Sequence, residues 1–190
     1  MVAYVFQRLL DRGAPSAMKN VATAQDWFAD NAVRVSENQM MRGGGVLSGR
    51  LSVGQLCMFS YDPKTKEKLP YYDRFPLVFP IDSRNGSFLG LNMHYLRPEL
   101  RATLMDALWN YVDDDKLSAS ARLQLTYNTL KAAGRLRYYK PCIKRYLNSN
   151  IRSRFVQIDP KQWNMALFLP TERFQKASKN KVYKDSQEKV

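Results

Sequence analysis

The chain has 190 residues, 45% apolar and 25% charged, and thirty Lys and Arg stand against seventeen Asp and Glu for a net charge of +13. That length and composition allow a buried core without staples and exclude wholesale disorder, and no stretch approaches the roughly 20 apolar residues of a membrane span. Two cysteines, Cys57 and Cys142, form no disulfide framework and read as small apolar core residues of a protein made in a reducing cytoplasm.

In chain order, the opening Met1-Val2-Ala3-Tyr4 lacks the basic and long apolar regions of a signal peptide. Residues 2–12 place Val5 with Leu9 and Phe6 with Leu10 at helical spacing, and Gly13 ends the run. Thr23, with Asp26 three residues on, approximates a capping box for a second helix carrying Trp27, Phe28, Val33 and Val35 as far as Met41. Arg42-Gly43-Gly44-Gly45 is a flexible joint and no phosphate loop, because no Gly-Lys-Ser/Thr follows.

Residues 51–93 change character. Leu56–Tyr61 predicts a strand, and Asp62-Pro63-Lys64-Thr65 a turn with proline at its second position. The stretch Phe75–Ile81 predicts an edge strand or a bent one, since Pro76 and Pro80 cannot donate to a ladder. Asn85-Gly86 supplies a tight turn and Ser87–Met93 the returning strand. Pro98 opens a helix whose face is Leu100, Leu104, Ala107, Leu108 and Tyr111, and Asp113-Asp114-Asp115 breaks it. Ser118 starts the next helix through Leu123, Tyr127 and Leu130, closed by Gly134. A short helix is expected from Pro141 over Cys142–Leu147, a strand over 151–158, and a last buried segment at Trp163, Ala166, Leu167 and Phe168. The fold class expected is α+β: a small antiparallel sheet or half-barrel at about 51–93, packed with N- and C-terminal helices. The domain division expected is N-terminal helices over 1–42, an α+β core over 43–175 and a basic tail over 176–190. A lysine-rich end from Lys176 to Lys189 is ordinarily mobile unless something holds it.

Enzyme chemistry finds little support. His94 is the sole histidine, so nucleophilic catalysis would have to use it, and its place between Met93 and Tyr95 at a strand end suits packing and hydrogen bonding better. One histidine and two scattered cysteines make no zinc set. Asp113, Asp114 and Asp115 could hold a divalent cation at a phosphodiester, as in a nuclease, but consecutive aspartates point apart and suit a solvated loop, and the enzyme reading would need Asp106, Asp113 or Asp115 to converge with Glu99 in one cleft. No catalytic residue, metal or cofactor is expected.

The charge carries more. Residues 1–100 hold twelve basic and nine acidic side chains, net +3, and residues 101–190 eighteen and eight, net +10. Between 131 and 154 stand Lys131, Arg135, Arg137, Lys140, Lys144, Arg145, Arg152 and Arg154 without one acidic residue, interleaved with Tyr138, Tyr139 and Tyr146. Self-repulsion in such a run calls for an anionic partner. Cations on phosphates with aromatic faces for bases are the means of sequence-tolerant nucleic-acid binding; arginine and tyrosine also suit an interface with an acidic protein. A solvated rim over core tyrosines is the plain structural alternative.

The block Met58–Leu77 (Met-Phe-Ser-Tyr-Asp-Pro-Lys-Thr-Lys-Glu-Lys-Leu-Pro-Tyr-Tyr-Asp-Arg-Phe-Pro-Leu), followed by Phe88–Leu96, resembles a virion protein of T-even-like contractile-tailed bacteriophages. Ser153-Arg154-Phe155, Ala166–Pro170 and Glu172-Arg173-Phe174 extend the resemblance over most of residues 50–180, although Arg97 stands where members usually carry a second proline. The resemblance implies a phage particle protein made in the bacterial cytoplasm, with two roles in competition. The first is a structural tail, baseplate or neck component in a symmetric oligomeric assembly, its basic half docked on acidic virion neighbours. The second is a DNA-end-binding, protecting protein. The lack of a recognisable DNA-reading motif favours the first. The resemblance transfers no catalytic residue.

Overall fold

The computed structural model describes residues 6–8, 47–48, 51–112, 114–160, 163 and 174–188. Most of the first expected helix, the second helix, the joint at 42–45 and the segment 166–168 lie outside these residues. Within them the fold is α+β. Six strands, β1 (Leu47–Ser48), β2 (Cys57–Met58), β4 (Leu77–Arg84), β5 (Ser87–Asn92), β6 (Ile143–Leu147) and β7 (Phe155–Gln157), form one antiparallel sheet in the order β1-β7-β2-β4-β5-β6. A second sheet pairs β3 (Tyr72–Asp73) with β8 (Phe174–Gln175). Helices α1 (Pro98–Val112), α2 (Ala119–Ala133) and α3 (Lys179–Glu188) and three short 3-10 turns (Met93–Tyr95, Lys140–Cys142, Asn148–Asn150) complete the described elements.

The sheet buries both faces, and the period-two alternation of a strand divides them. Leu77, Phe79 and Ile81 of β4, with Met58 and Leu91, point toward Leu104, Met105 and Leu108 of α1, Leu130 of α2 and Val182 of α3. Val78, Cys57 and Phe88 point the other way, into an aromatic layer with Phe59, Tyr61 and Tyr146. Phe59 is fully buried there, with the rings of Tyr146 and Phe155 each 5.2 Å from it and near perpendicular, the electrostatically preferred edge-to-face arrangement. Two buried faces explain why strands 77–81 and 87–92 read as nearly continuous apolar runs.

Several expectations need correction. The sheet is not confined to 51–93, because β1, β6 and β7 join it from outside that span. The proline-bearing strand lies inside the sheet, between β2 and β5, and it is the bent alternative that holds: the register shifts between Pro80 and Asp82, and β2 accompanies β4 only at Leu77 and Val78. Pro80 therefore has no second ladder to disrupt; its carbonyl accepts instead from the Gly54 N–H at 2.8 Å. Residues 143–147 form a strand where a helix was expected. Pro141 does open a helical turn, but it stops at Cys142, and the next five residues pair with Ser87–Leu91. In α1, Ala107 is exposed, and buried Arg101 and Met105 shift the inward stripe.

The capping expectation for α2 holds: the Ser118 side chain accepts from the Ala121 N–H. Gly134 closes the helix with φ −60°, not in a left-handed cap. Glycine suits it for space, since a Cβ would sit 2.9 Å from Ile143 Cδ1. The lysine-rich end is held by the chain itself: Val182 is fully buried and Ser186 nearly so.

Candidate nucleic-acid interface

The Lys131–Arg154 stretch folds as a helix end, a turn, an edge strand and a return loop, and its cations separate accordingly. Lys131 lies on the last turn of α2 with its ammonium 5.6 Å from the Tyr127 ring. Arg135, Leu136, Arg137 and Tyr138 are four consecutive exposed residues in the turn that follows, with the Arg137 guanidinium 6.0 Å from the Tyr138 ring. Lys140 is exposed on the next helical turn. Arg152 and Arg154 are exposed on the loop into β7, and Arg152 approaches Asp62 at 3.9 Å. The interleaved tyrosines divide: Tyr139 and Tyr146 belong to the core, whereas Tyr138 is 50% exposed.

Lys144 and Arg145 come from β6, the outer strand of the sheet, and they border a cleft of about 580 Å³. The cleft lies between the 61–73 segment and the ends of β5 and β6, and five tyrosines line it: Tyr61, Tyr71, Tyr72, Tyr95 and Tyr146. Lys64 adds a third cation. The Lys144 ammonium stands 4.2 Å from the Tyr95 ring centroid, a cation–π contact. Of the eight cations singled out from sequence, Lys144 and Arg145 are thus the two that border this cleft.

A chain of hydrogen bonds sets the floor. The Asn92 amide donates to the Tyr146 hydroxyl at 3.0 Å, and its carbonyl oxygen accepts from the His94 N–H at 2.9 Å. His94 Nδ1 lies 2.6 Å from an Asp73 carboxylate oxygen, and the other oxygen accepts from the Phe75 N–H at 3.0 Å. Arg101, itself buried, donates to the carbonyls of Leu96 and His94 and to the Tyr183 hydroxyl on α3. The sole histidine is thus a fully buried structural partner of Asp73. Burial raises the Tyr61, Tyr71, Tyr95 and Tyr146 hydroxyl pKa values, Tyr71 to about 12, so these phenols stay neutral near pH 7.

One wall of the cleft is the loop at 62–70. Hydrogen bonds from the Lys66 N–H to the Pro63 carbonyl and from the Lys68 N–H to the Thr65 carbonyl place its turns later than the expected one at Asp62. The Lys176 ammonium donates to the carbonyls of Lys66, Glu67 and Leu69 at 2.7, 3.1 and 3.3 Å, so each of its three N–H bonds has an acceptor. Lys176 takes φ 70°, a left-handed conformation unusual for a residue with a side chain, as it makes this clamp.

Among the described residues the carboxylates do not assemble, and Asp113 lies outside them. Asp106 is buried and accepts from the N–H groups of Phe6 and Gln7, while Asp114 accepts from the Lys116 N–H in its loop. Among the described residues no three His, Cys, Asp or Glu side chains lie together to hold a metal, and no helix is long and apolar enough to cross a membrane. The cysteine thiols are buried, and desolvation pushes Cys57 up to about 12 and Cys142 up to about 11. The cleft, with Lys64 and the tyrosines at 61, 71, 72 and 95, was not read from the sequence. Its one available signal was the density of tyrosine in the block that carries the phage resemblance.

A family model described as phage T4 terminal DNA protecting protein matches residues 4–189. No curated protein and no solved structure matches the chain.

Proposed function

Because the chain belongs to the phage T4 terminal DNA protecting protein family, we propose that it binds the ends of linear DNA and shields them within the phage particle. This is the second of the two roles weighed above; the family description favours it over a tail, baseplate or neck component. The proposed contacts are Lys131, Arg135, Arg137, Lys140, Lys144, Arg145, Arg152 and Arg154. The observation that carries the reading is uncompensated charge: all but Lys144 are exposed, and of those exposed only Arg152 is ion-paired with a described carboxylate. Cations held apart from carboxylates are available to displace counterions from phosphates, which gives affinity without a base-reading motif. Protection on this reading is non-enzymatic, since occupying an end suffices to exclude an exonuclease.

Filter binding to linear duplex over a salt series tests it. The expected log–log slope is about −0.9 per phosphate neutralised. Changing Arg135, Arg137, Lys144 and Arg145 together to Ala should make the slope shallower and weaken binding at every salt concentration. A salt-independent signal, or unchanged binding by the quadruple variant, would dispose of the proposal.

One observation supports a second reading of this same turn, as a contact with an acidic virion neighbour. Leu136 and Tyr138 stand 56% and 50% exposed between and beside Arg135 and Arg137, the apolar-plus-arginine character of a protein interface. Leu136→Ser with Tyr138→Ser should then reduce incorporation into particles while leaving DNA binding in place; normal incorporation would remove this reading.

A further inference from the structure

We infer that the tyrosine-lined cleft receives the unpaired terminal nucleotide of the bound DNA end. This rests on the DNA-end reading above and gives that reading a specific pocket. A cleft of about 580 Å³ lies within the roughly 300–1,000 Å³ range of small-ligand sites, which suits one unstacked nucleotide and excludes a duplex. Its border offers the exposed Lys64 and Arg145 to a phosphate. Asp73 is the one carboxylate among the described lining residues, and it is engaged by His94 and the Phe75 N–H, so the described lining favours an anion. Its walls are aromatic, as proteins that hold an extruded or single-stranded base require. Tyr72 is partly exposed, whereas the rings at 61, 71, 95 and 146 are packed in the core, so Tyr72 is the ring available to a base. The site is built in advance of any ligand: Lys176 pins the 62–70 wall, and the Asn92–Tyr146 hydrogen bond fixes the opposite side. An acidic peptide would satisfy the cations but leave a flat aromatic wall without a matching face.

The test uses the full chain and two DNA probes. One is a hairpin with a two-nucleotide single-stranded overhang whose terminal base is fluorescent 2-aminopurine; the other is a dumbbell closed at both ends. The wild type should bind the overhang roughly tenfold more tightly than the dumbbell and change the probe's fluorescence. Lys64→Ala and Tyr72→Ser, both outside the eight proposed phosphate contacts, should abolish the preference and the fluorescence change while keeping dumbbell affinity and its salt slope. Lys64 is exposed on the loop, so its replacement leaves the core intact. A wild type without end preference would overturn the DNA-end reading itself. End preference that persists in both variants, or displacement of the probe by oligoglutamate and not by oligothymidylate, would overturn the cleft assignment alone.

Discussion

Asp106 shows how a single side chain joins distant parts of the chain. Its two carboxylate oxygens accept from the Phe6 N–H at 2.7 Å and the Gln7 N–H at 3.0 Å, a hundred residues away. Phe6 is itself buried, with its ring 5.7 Å from that of Trp109 on the same helix as Asp106. Asp106→Ala leaves two donors without their acceptor and should lower stability by about 1–3 kcal/mol, read as a lower urea midpoint at constant slope. An unchanged midpoint would show that water replaces the carboxylate without loss. Phe59 makes the corresponding apolar case. Its removal in Phe59→Ala empties the centre of the aromatic layer and should cost about 3–5 kcal/mol in the same measurement. No feature of the sequence marks Asp106 as a partner of Phe6, because such a contact is made only when the fold closes.

At the scale of elements, close approach decides more than propensity. In β5, Gly90 sits opposite Pro80, and a Cβ added there would lie 2.1 Å from Val78 Cγ1. Gly90→Ala must therefore move β4 against β5 and should destabilise by about 1–3 kcal/mol or more, although alanine is otherwise the milder residue in a strand. The β4–β5 hairpin was legible because Asn85-Gly86 marks its turn and both flanks are apolar; in the structure Gly86 takes φ 70°. Strand β6 was not legible. Pro141 is a helix-start signal, and Ile143-Lys144-Arg145-Tyr146-Leu147 shows no clean alternation because Lys144 lies over a tyrosine ring and not in the core. Its pairing with β5, more than fifty residues earlier, decides the matter. The cleft wall carries a prediction of the same kind. Lys176→Met removes three hydrogen bonds to the 66–69 carbonyls, so amide exchange in that loop should accelerate while the core amides of β4 and β5 keep their protection. Equal protection in the loop would mean that the clamp does not hold it.

For the whole molecule, titration and charge act separately. Burial raises Cys57 from 9.0 to about 12, Cys142 from 9.0 to about 11 and Tyr71 from 10.0 to about 12. The unfolded chain releases these protons first, so above pH 9 it holds fewer protons than the folded chain and stability must fall as pH rises. The contribution is fully present below pH 9 and is lost on the way to about 12; a urea midpoint that rises between pH 9 and 11 would contradict it. The global charge asymmetry was legible from composition alone, and so was the α+β class, because turn signals and apolar periods survive in a single sequence. What composition could not supply was the division of the cations into an exposed turn, a return loop and a cleft edge, which depends on the long-range pairing of β5 with β6.

On the function proposed above, this basic surface covers a DNA end. End-labelled linear duplex, challenged with an exonuclease that requires a free terminus, tests it most directly. The chain should preserve the label, protection should fade as salt rises, and the Arg135, Arg137, Lys144 and Arg145 quadruple alanine variant should protect far less. Digestion at the same rate with and without the chain, under conditions where the chain is bound to the duplex, would contradict it.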